Sequence, residues 1–178
     1  MKIILATSSP YRIQAMKFSG MPFQAVSSNV EEKFESRPDD PKELVKLLSR
    51  LKAEAVKEKF ERDNPNSIII GFDSVGYFKG NILEKPSSKQ EAFERLRALS
   101  EKRHDFFTGI TLINTKTKKI TQEVIKTIIG FRKISNIEIE KYLSEDKNYN
   151  TYATGYDPLA NIRRPCKYPE GHTHIKSN

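Results

Sequence analysis

The chain has 178 residues, 37% of them apolar and 30% charged, with a formal net charge of +8. That length suits one ordinary domain with a real core, and the balance excludes a disordered or fibrous chain. Lysines and arginines are scattered among acidic residues, so the excess does not read as a nucleic-acid arm; general solubility or a small polyanionic ligand such as a nucleotide accounts for it. The single cysteine, Cys166, excludes an intrachain disulfide and fits a reducing compartment. The opening MKIILATSSP has too short an apolar run for a signal peptide, and no stretch approaches a membrane span. The expected setting is the cytoplasm, with no membrane.

Lys2 to Ala6 is a short Ile-rich run that predicts a buried strand. Thr7-Ser8-Ser9-Pro10 follows, and a serine before a proline starts a helix with Pro10 at its first position. Ile13, Met16 and Phe18 sit at helical spacing, and Gly20 stops the helix. Phe23 to Ser27 reads as a second strand. A polar stretch with Glu31-Glu32 leads to Pro41, which opens a long helix with Leu44, Leu47, Leu48, Leu51, Ala55 and Val56 on one face. Ser67 to Phe72 is a strand that ends at Asp73, and Gly76 to Ile82 is a hairpin around Lys79-Gly80-Asn81. Ser88 caps an amphipathic helix reaching Ser100. His104 to Asn114 and Lys119 to Arg132 are two strands joined by a polar turn. Ser135 to Leu143 is a helix whose apolar residues are Ile137, Ile139 and Tyr142. From Asp146 the chain reads as irregular and aromatic. This order predicts an α/β domain with a mixed sheet.

Neither of the glycine-rich phosphate-binding signatures is present, and zinc spacing is absent. Cys166, His172 and His174 lie in a polar tail and make a weak metal signal, and nothing in the spacing supports a triad of Ser9, His104 and Asp73. The remaining candidates are polar groups at element ends. Thr7-Ser8-Ser9 is either a turn whose amides and hydroxyls hold a phosphate, with Arg12 one turn inside, or an ordinary helix cap beside a solvent-facing arginine. Asp73, at the end of a buried strand, either binds Mg²⁺ or orients a water, or merely begins a turn with Ser74. Lys85 before Pro86 either reaches a phosphate or is a surface lysine. Glu32 either shares a cation with Asp73 or is solvated. Lys52, beside Leu51 on the long helix, is placed to snorkel at a boundary.

In order along the chain, these residues resemble the Maf family, septum-formation-inhibitor-like nucleotide pyrophosphatases related in fold to the inosine triphosphatase group. LATSSPYRIQAM is similar to the family's L-A-S-x-S-P-R-R-x-x-L-L. Asn29-Val30-Glu31-Glu32 resembles its acidic loop, and Leu51-Lys52-Ala53 its L-A-x-x-K-A helix. Phe72-Asp73-Ser74 with Ile82-Leu83-Glu84-Lys85-Pro86 resembles A-D-T and I-L-G-K-P. Leu99-Ser100, Thr108-Gly109, Phe131-Arg132 and Tyr142 fit later positions, and Ala153-Thr154-Gly155-Tyr156 is similar to A-G-x-Y.

The resemblance implies an inosine-triphosphatase-like fold over residues 1–159: a curved mixed β-sheet with flanking helices and a cleft between two lobes. It implies cleavage of nucleoside triphosphates between the α and β phosphates with Mg²⁺ or Mn²⁺, a house-cleaning or cell-division role, and a homodimer. Asp73 and Lys85 are then the catalytic residues, Glu32 and Asp73 the metal ligands. Ser8, Ser9, Arg12, Lys52 and Ser74 bind the substrate. Tyr11 stands where the family usually has arginine, and an aromatic there can stack on a base, as in members that prefer 7-methyl-GTP. Leu159 falls near the position that reads the base. Glu84 replaces a glycine and either adds a metal ligand or weakens phosphate binding. Residues 160–178 depart from the family pattern and carry no strand or helix periodicity; the expectation is a tail lacking the family's last strand and helix. A catalytically weak nucleotide-binding regulator is the alternative. A nucleic-acid-binding module, a third reading, predicts steeply salt-dependent binding and no role for Asp73.

Overall fold

A computed structural model describes residues 1–62, 65–152, 154–156 and 166–167. Ile-rich β1 (Lys2–Ala6) lies between two parallel neighbours, β2 (Gln24–Val26) and β3 (Ser67–Phe78). Its residues Ile4, Leu5 and Ala6 are buried, as a strand paired on both sides demands. β4 (Asn81–Leu83) folds back antiparallel on β3, with Lys79 and Gly80 both at positive φ, the backbone that a two-residue hairpin turn requires. β5 (Arg103–Asn114), β6 (Ile120–Phe131) and a two-residue β7 (Cys166–Lys167) complete a seven-stranded mixed sheet. Its order is β2-β1-β3-β5-β6-β7, with β4 paired to β3 off that path.

Among the described residues four α-helices join these strands, and the sequence starts each of them recognisably. α1 (Pro10–Lys17) and α2 (Pro41–Phe60) carry proline in the first turn, and Asp40 caps α2 by accepting from the amides of Lys42 and Glu43. Ser88 caps α3 (Lys89–Leu99), and Ser135 with Glu138 forms a reciprocal capping box on α4 (Asn136–Glu145). A 3₁₀ turn follows at Tyr149–Thr151.

The chain divides into two compact units interleaved along the sequence: Met1–Asp73 with Thr108–Ile125, and Ser74–Phe107 with Lys126–Asn178. The first has a core of Ile4, Ala6, Ala53, Val56, Ile69 and Ile113. The core of the second is larger and more aromatic, with Leu96, Leu99, Ile129, Phe131, Ile139 and Tyr156 among its members.

Three expectations need correction. β3 does not stop at Asp73 but runs on to Phe78, so Asp73-Ser74 is strand interior rather than a tip or a turn. The β-forming residues Val75, Tyr77 and Phe78 carry the strand onward, and an ion pair described below lets a carboxylate stay inside it. Phe18 is 83% exposed and none of the eight residues of α1 is fully buried, because the helix is too short and polar to present a continuous apolar face. Ile137 is likewise exposed; α4 buries Ile139, Tyr142 and Leu143 instead. Within the tail, the described Cys166–Lys167 pair antiparallel with Gly130–Phe131. A two-residue strand is too short for alternation to register in sequence.

Candidate active site

The site in the first unit begins with a glycine. A Cβ at Gly71 would fall onto the carbonyl oxygen of Ser49 and lie 3.0 Å from Ala53 Cβ. A Cβ at Gly109, on β5, would strike the carbonyl of Val45 in the same way. These two positions let the backbone of α2 settle directly on the sheet. The contact is pinned by a buried 2.8 Å hydrogen bond between the hydroxyls of Ser49 and Thr111, and Gln122 donates to both Thr111 and the Lys46 carbonyl. Asp73 lies two residues beyond Gly71 and so on the same face of β3. Lys52 is the neighbour of Ala53 on α2.

The outcome is a buried ion pair. Lys52 Nζ donates to Asp73 Oδ1 at 2.5 Å and stands 2.7 Å from Glu32 Oε1. Lys52 and Asp73 are 6% and 5% exposed. Glu32, on the loop before α2, keeps 44% of its side chain in solvent. Lys52 therefore does not snorkel at a boundary: its ammonium is fixed between two carboxylates. Burial raises the Asp73 carboxyl above its ordinary value, against the pull of Lys52 and Arg12 toward the charged form and with a further push from Glu32. Burial likewise lowers the half-buried Arg12 guanidinium, with Asp73 and Glu32 opposing it; an arginine remains a cation at neutral pH. Two cations and two carboxylates, drawn from α1, the Glu32 loop, α2 and β3, thus balance within the first unit.

The other predicted residues divide. Thr7-Ser8-Ser9 forms the turn between β1 and α1. Thr7 is buried and accepts from the Ser9 amide at 3.1 Å, while the Ser9 side chain makes no capping hydrogen bond among the described residues. Tyr11 is half-buried on α1, next to Arg12. Ser74 is half-buried, and strand alternation sends it to the face opposite Asp73. Lys85 belongs to the second unit and is exposed between β4 and α3. Leu159, His172 and His174 lie outside the described residues. Sequence reading missed Gly71, and matched Gly109 to the family pattern without its packing role. The available signal was a glycine inside a strand pattern, in IIIGFDS and TGIT, which marks close approach of another backbone.

Glu32 and Asp73 offer two hard oxygen donors converging on one point now held by an ammonium. That arrangement fits Mg²⁺ or Mn²⁺ bound jointly with substrate phosphates, since Mg²⁺ is usually taken up through one or two carboxylates plus phosphate oxygens. A cage able to hold the ion unaided needs more donors, and among the described residues no group of three or more His, Cys, Asp and Glu side chains is assembled for it.

The chain belongs to the Maf-like protein family, whose model matches residues 2–158. It is 35% identical over 150 residues to a dTTP/UTP pyrophosphatase of Caldicellulosiruptor saccharolyticus, covering 84% of this chain and 74% of that one. It is 39% identical over 147 residues to a dTTP/UTP pyrophosphatase of Thermosipho melanesiensis, covering 83% and 75%. A 7-methyl-GTP pyrophosphatase of Pseudomonas aeruginosa is 32% identical over 145 residues, with coverage of 82% and 73%. Among solved structures, a nucleoside-triphosphatase / dITP/XTP pyrophosphatase from Mycobacterium abscessus overlays with a TM-score of 0.41 at 13% identity, over 75% of this chain and 74% of that one.

Proposed function

We propose that the protein is a divalent-metal-dependent nucleoside triphosphate pyrophosphatase that releases a nucleoside monophosphate and pyrophosphate. The observation that carries this reading is the Lys52 ammonium held between Asp73 and Glu32, with Arg12 beside them, in a chain of the Maf-like family. The names of the relatives support the reaction class. In the reaction a water oxygen bonds to the α-phosphorus, the bridging bond from that phosphorus to the β-phosphate breaks, and pyrophosphate leaves. Asp73 accepts the water's proton. Its raised proton affinity, a product of burial, makes it a better base than an exposed aspartate. Glu32 and Asp73 would hold the cation, which supplies charge neutralisation on the phosphates and activation of water. Lys52 and Arg12 bind phosphate oxygens as charge accumulates in the transition state. The amides of the Ser8-Ser9 turn add phosphate donors, and the family resemblance assigns the ammonium of Lys85 to phosphate as well.

The base is a finer question. Tyr11 is half-buried beside Arg12, and stacking on a base suits an aromatic residue there. The test is pyrophosphate release from dTTP, UTP, CTP, GTP, 7-methyl-GTP and ITP, each with Mg²⁺ and with Mn²⁺. The proposal expects metal-dependent release from at least one of them and a changed ranking among bases in Tyr11→Ala. A folded protein that releases pyrophosphate from none contradicts it.

A further inference from the structure

The segment between β4 and α3 is held from three sides although its central residue, Lys85, is exposed. On one flank, Arg95 Nη1 donates to the Glu84 carbonyl oxygen. On the other, Glu91 Oε2 accepts from both the amide of Ser87, at 2.8 Å, and its hydroxyl, at 2.7 Å. Between them Pro86 is buried, and a Cβ at Gly155 would lie 3.6 Å from its ring. Glu91 Oε1 and Arg95 Nη2 join at 2.7 Å, one helical turn apart on α3, which links the two flanks into a single clamp. Proline at 86 further confines the backbone of Lys85 to extended conformations.

Capping of α3 does not need this arrangement. Ser88 already serves the helix by accepting from the Glu91 amide at 3.1 Å. The clamp also withdraws Arg95 from water, leaving 11% of its side chain exposed. Desolvating a guanidinium is costly, and here the return is a fixed path for residues 84–87. The bonds from Ser87 hold Glu91 below its usual carboxyl range, so it stays ionised. What the fixed path presents to solvent is the ammonium of Lys85, with the exposed Glu84 carboxylate preceding it and the Ser87 side chain following.

We propose that Arg95 and Glu91 are positioning residues that hold Lys85 for the phosphate chain of the substrate. The proposal rests on the reading of Lys85 as a phosphate ligand. Precise placement matters because a lysine on a free loop would lose its conformational freedom at each binding event, whereas a clamped one has lost it beforehand.

A double-mutant cycle tests this: wild type, Lys85→Met, Arg95→Met and the double variant. Each is measured for pyrophosphate release and for affinity toward inorganic tripolyphosphate. Acting through Lys85, Arg95→Met lowers kcat/KM and tripolyphosphate affinity about tenfold in the wild-type background and less than about twofold in the Lys85→Met background. Arg95→Lys restores part of the loss, and Glu91→Gln reproduces a smaller one with the same dependence on Lys85. Additive losses, or no loss in Arg95→Met, overturn the proposal. If Arg95→Met does not fold, Glu91→Gln carries the same cycle from a partly exposed position. If the wild type turns over no triphosphate, the pyrophosphatase reading fails on its own. Tripolyphosphate affinity then decides: coupling upholds the clamp, and absent coupling or absent binding rejects it.

Discussion

Both units bury ionisable side chains, and two of these, Asp73 in the first and His104 in the second, are handled in opposite ways. In the first, burial raises the pKa of Asp73, but its carboxyl is ion-paired with Lys52 and lies near Arg12, both of which favour the charged form, and near Glu32. In the second, His104 is 3% exposed, its Nε2 meets the Tyr156 hydroxyl at 3.0 Å, and Nδ1 has no hydrogen-bond partner among the described residues. Burial lowers its pKa to about 4, with Asp105 pulling the other way, so the imidazole is neutral at pH 7. Phe131 and Tyr156 close round it at ring-centroid distances of 5.7 and 6.0 Å. A group that sheds its charge is a packing element. A buried group surrounded by balanced opposite charges, one of them reaching solvent through Glu32, is where a charged substrate finds ready-made electrostatics.

The comparison can be broken first at the ion pair. Lys52→Met strands the Asp73 carboxylate and is expected to cost about 3–5 kcal/mol of stability at neutral pH. Adding Asp73→Asn recovers most of that loss, and urea unfolding of the two single variants and the double variant checks both values. A smaller but still large effect belongs to Gly71→Ala. The added Cβ meets the Ser49 carbonyl and forces α2 off the sheet, at a cost of about 2–3 kcal/mol, with loss of turnover as Lys52 leaves Asp73.

The pH dependence of stability separates the two buried groups by sign. The folded pKa of His104 lies below its unfolded value of 6.5, so the native state binds fewer protons between about 4 and 6.5. Its contribution is therefore lost as pH falls through that window, by about 3 kcal/mol at most. Unfolding free energies measured from pH 7 to 4 are expected to fall less steeply in His104→Gln than in wild type. Asp73 acts in the opposite sense: its folded pKa is raised above 3.8, and its ionisation costs stability as pH rises through the folded value. The smallest effect is expected where charge is simply on the surface. Glu54→Ala breaks the exposed 2.8 Å pair with Arg50 on α2 and should change stability by less than about 0.5 kcal/mol.

Most of the elements were legible because their signals are local. Proline and serine or aspartate caps mark the helices, Lys79-Gly80 marks the hairpin, and Ile-rich runs mark β1 and the start of β3. The candidate site was legible only in part. The motif order placed Glu32, Lys52 and Asp73 together through family resemblance, but periodicity put Lys52 at a surface boundary and Asp73 at a strand end. Both misplacements share a cause: burial of either charge is permitted only by the other, and no window of sequence contains both. Gly71, which allows the meeting, looked like a weak point in a strand. The clamp on Lys85 was illegible for the same reason, since Arg95 reads as one more polar residue on an amphipathic helix.

The most direct test of the account is pyrophosphate release by Asp73→Asn beside wild type, on the triphosphate the wild type prefers. The substitution keeps the shape of the side chain and removes the base and the charge. The account predicts a folded variant whose kcat falls at least about a thousandfold, the loss of both proton transfer and electrostatic stabilisation. A folded Asp73→Asn variant that retains wild-type turnover would contradict it, leaving the buried pair a structural feature and placing the chemistry elsewhere.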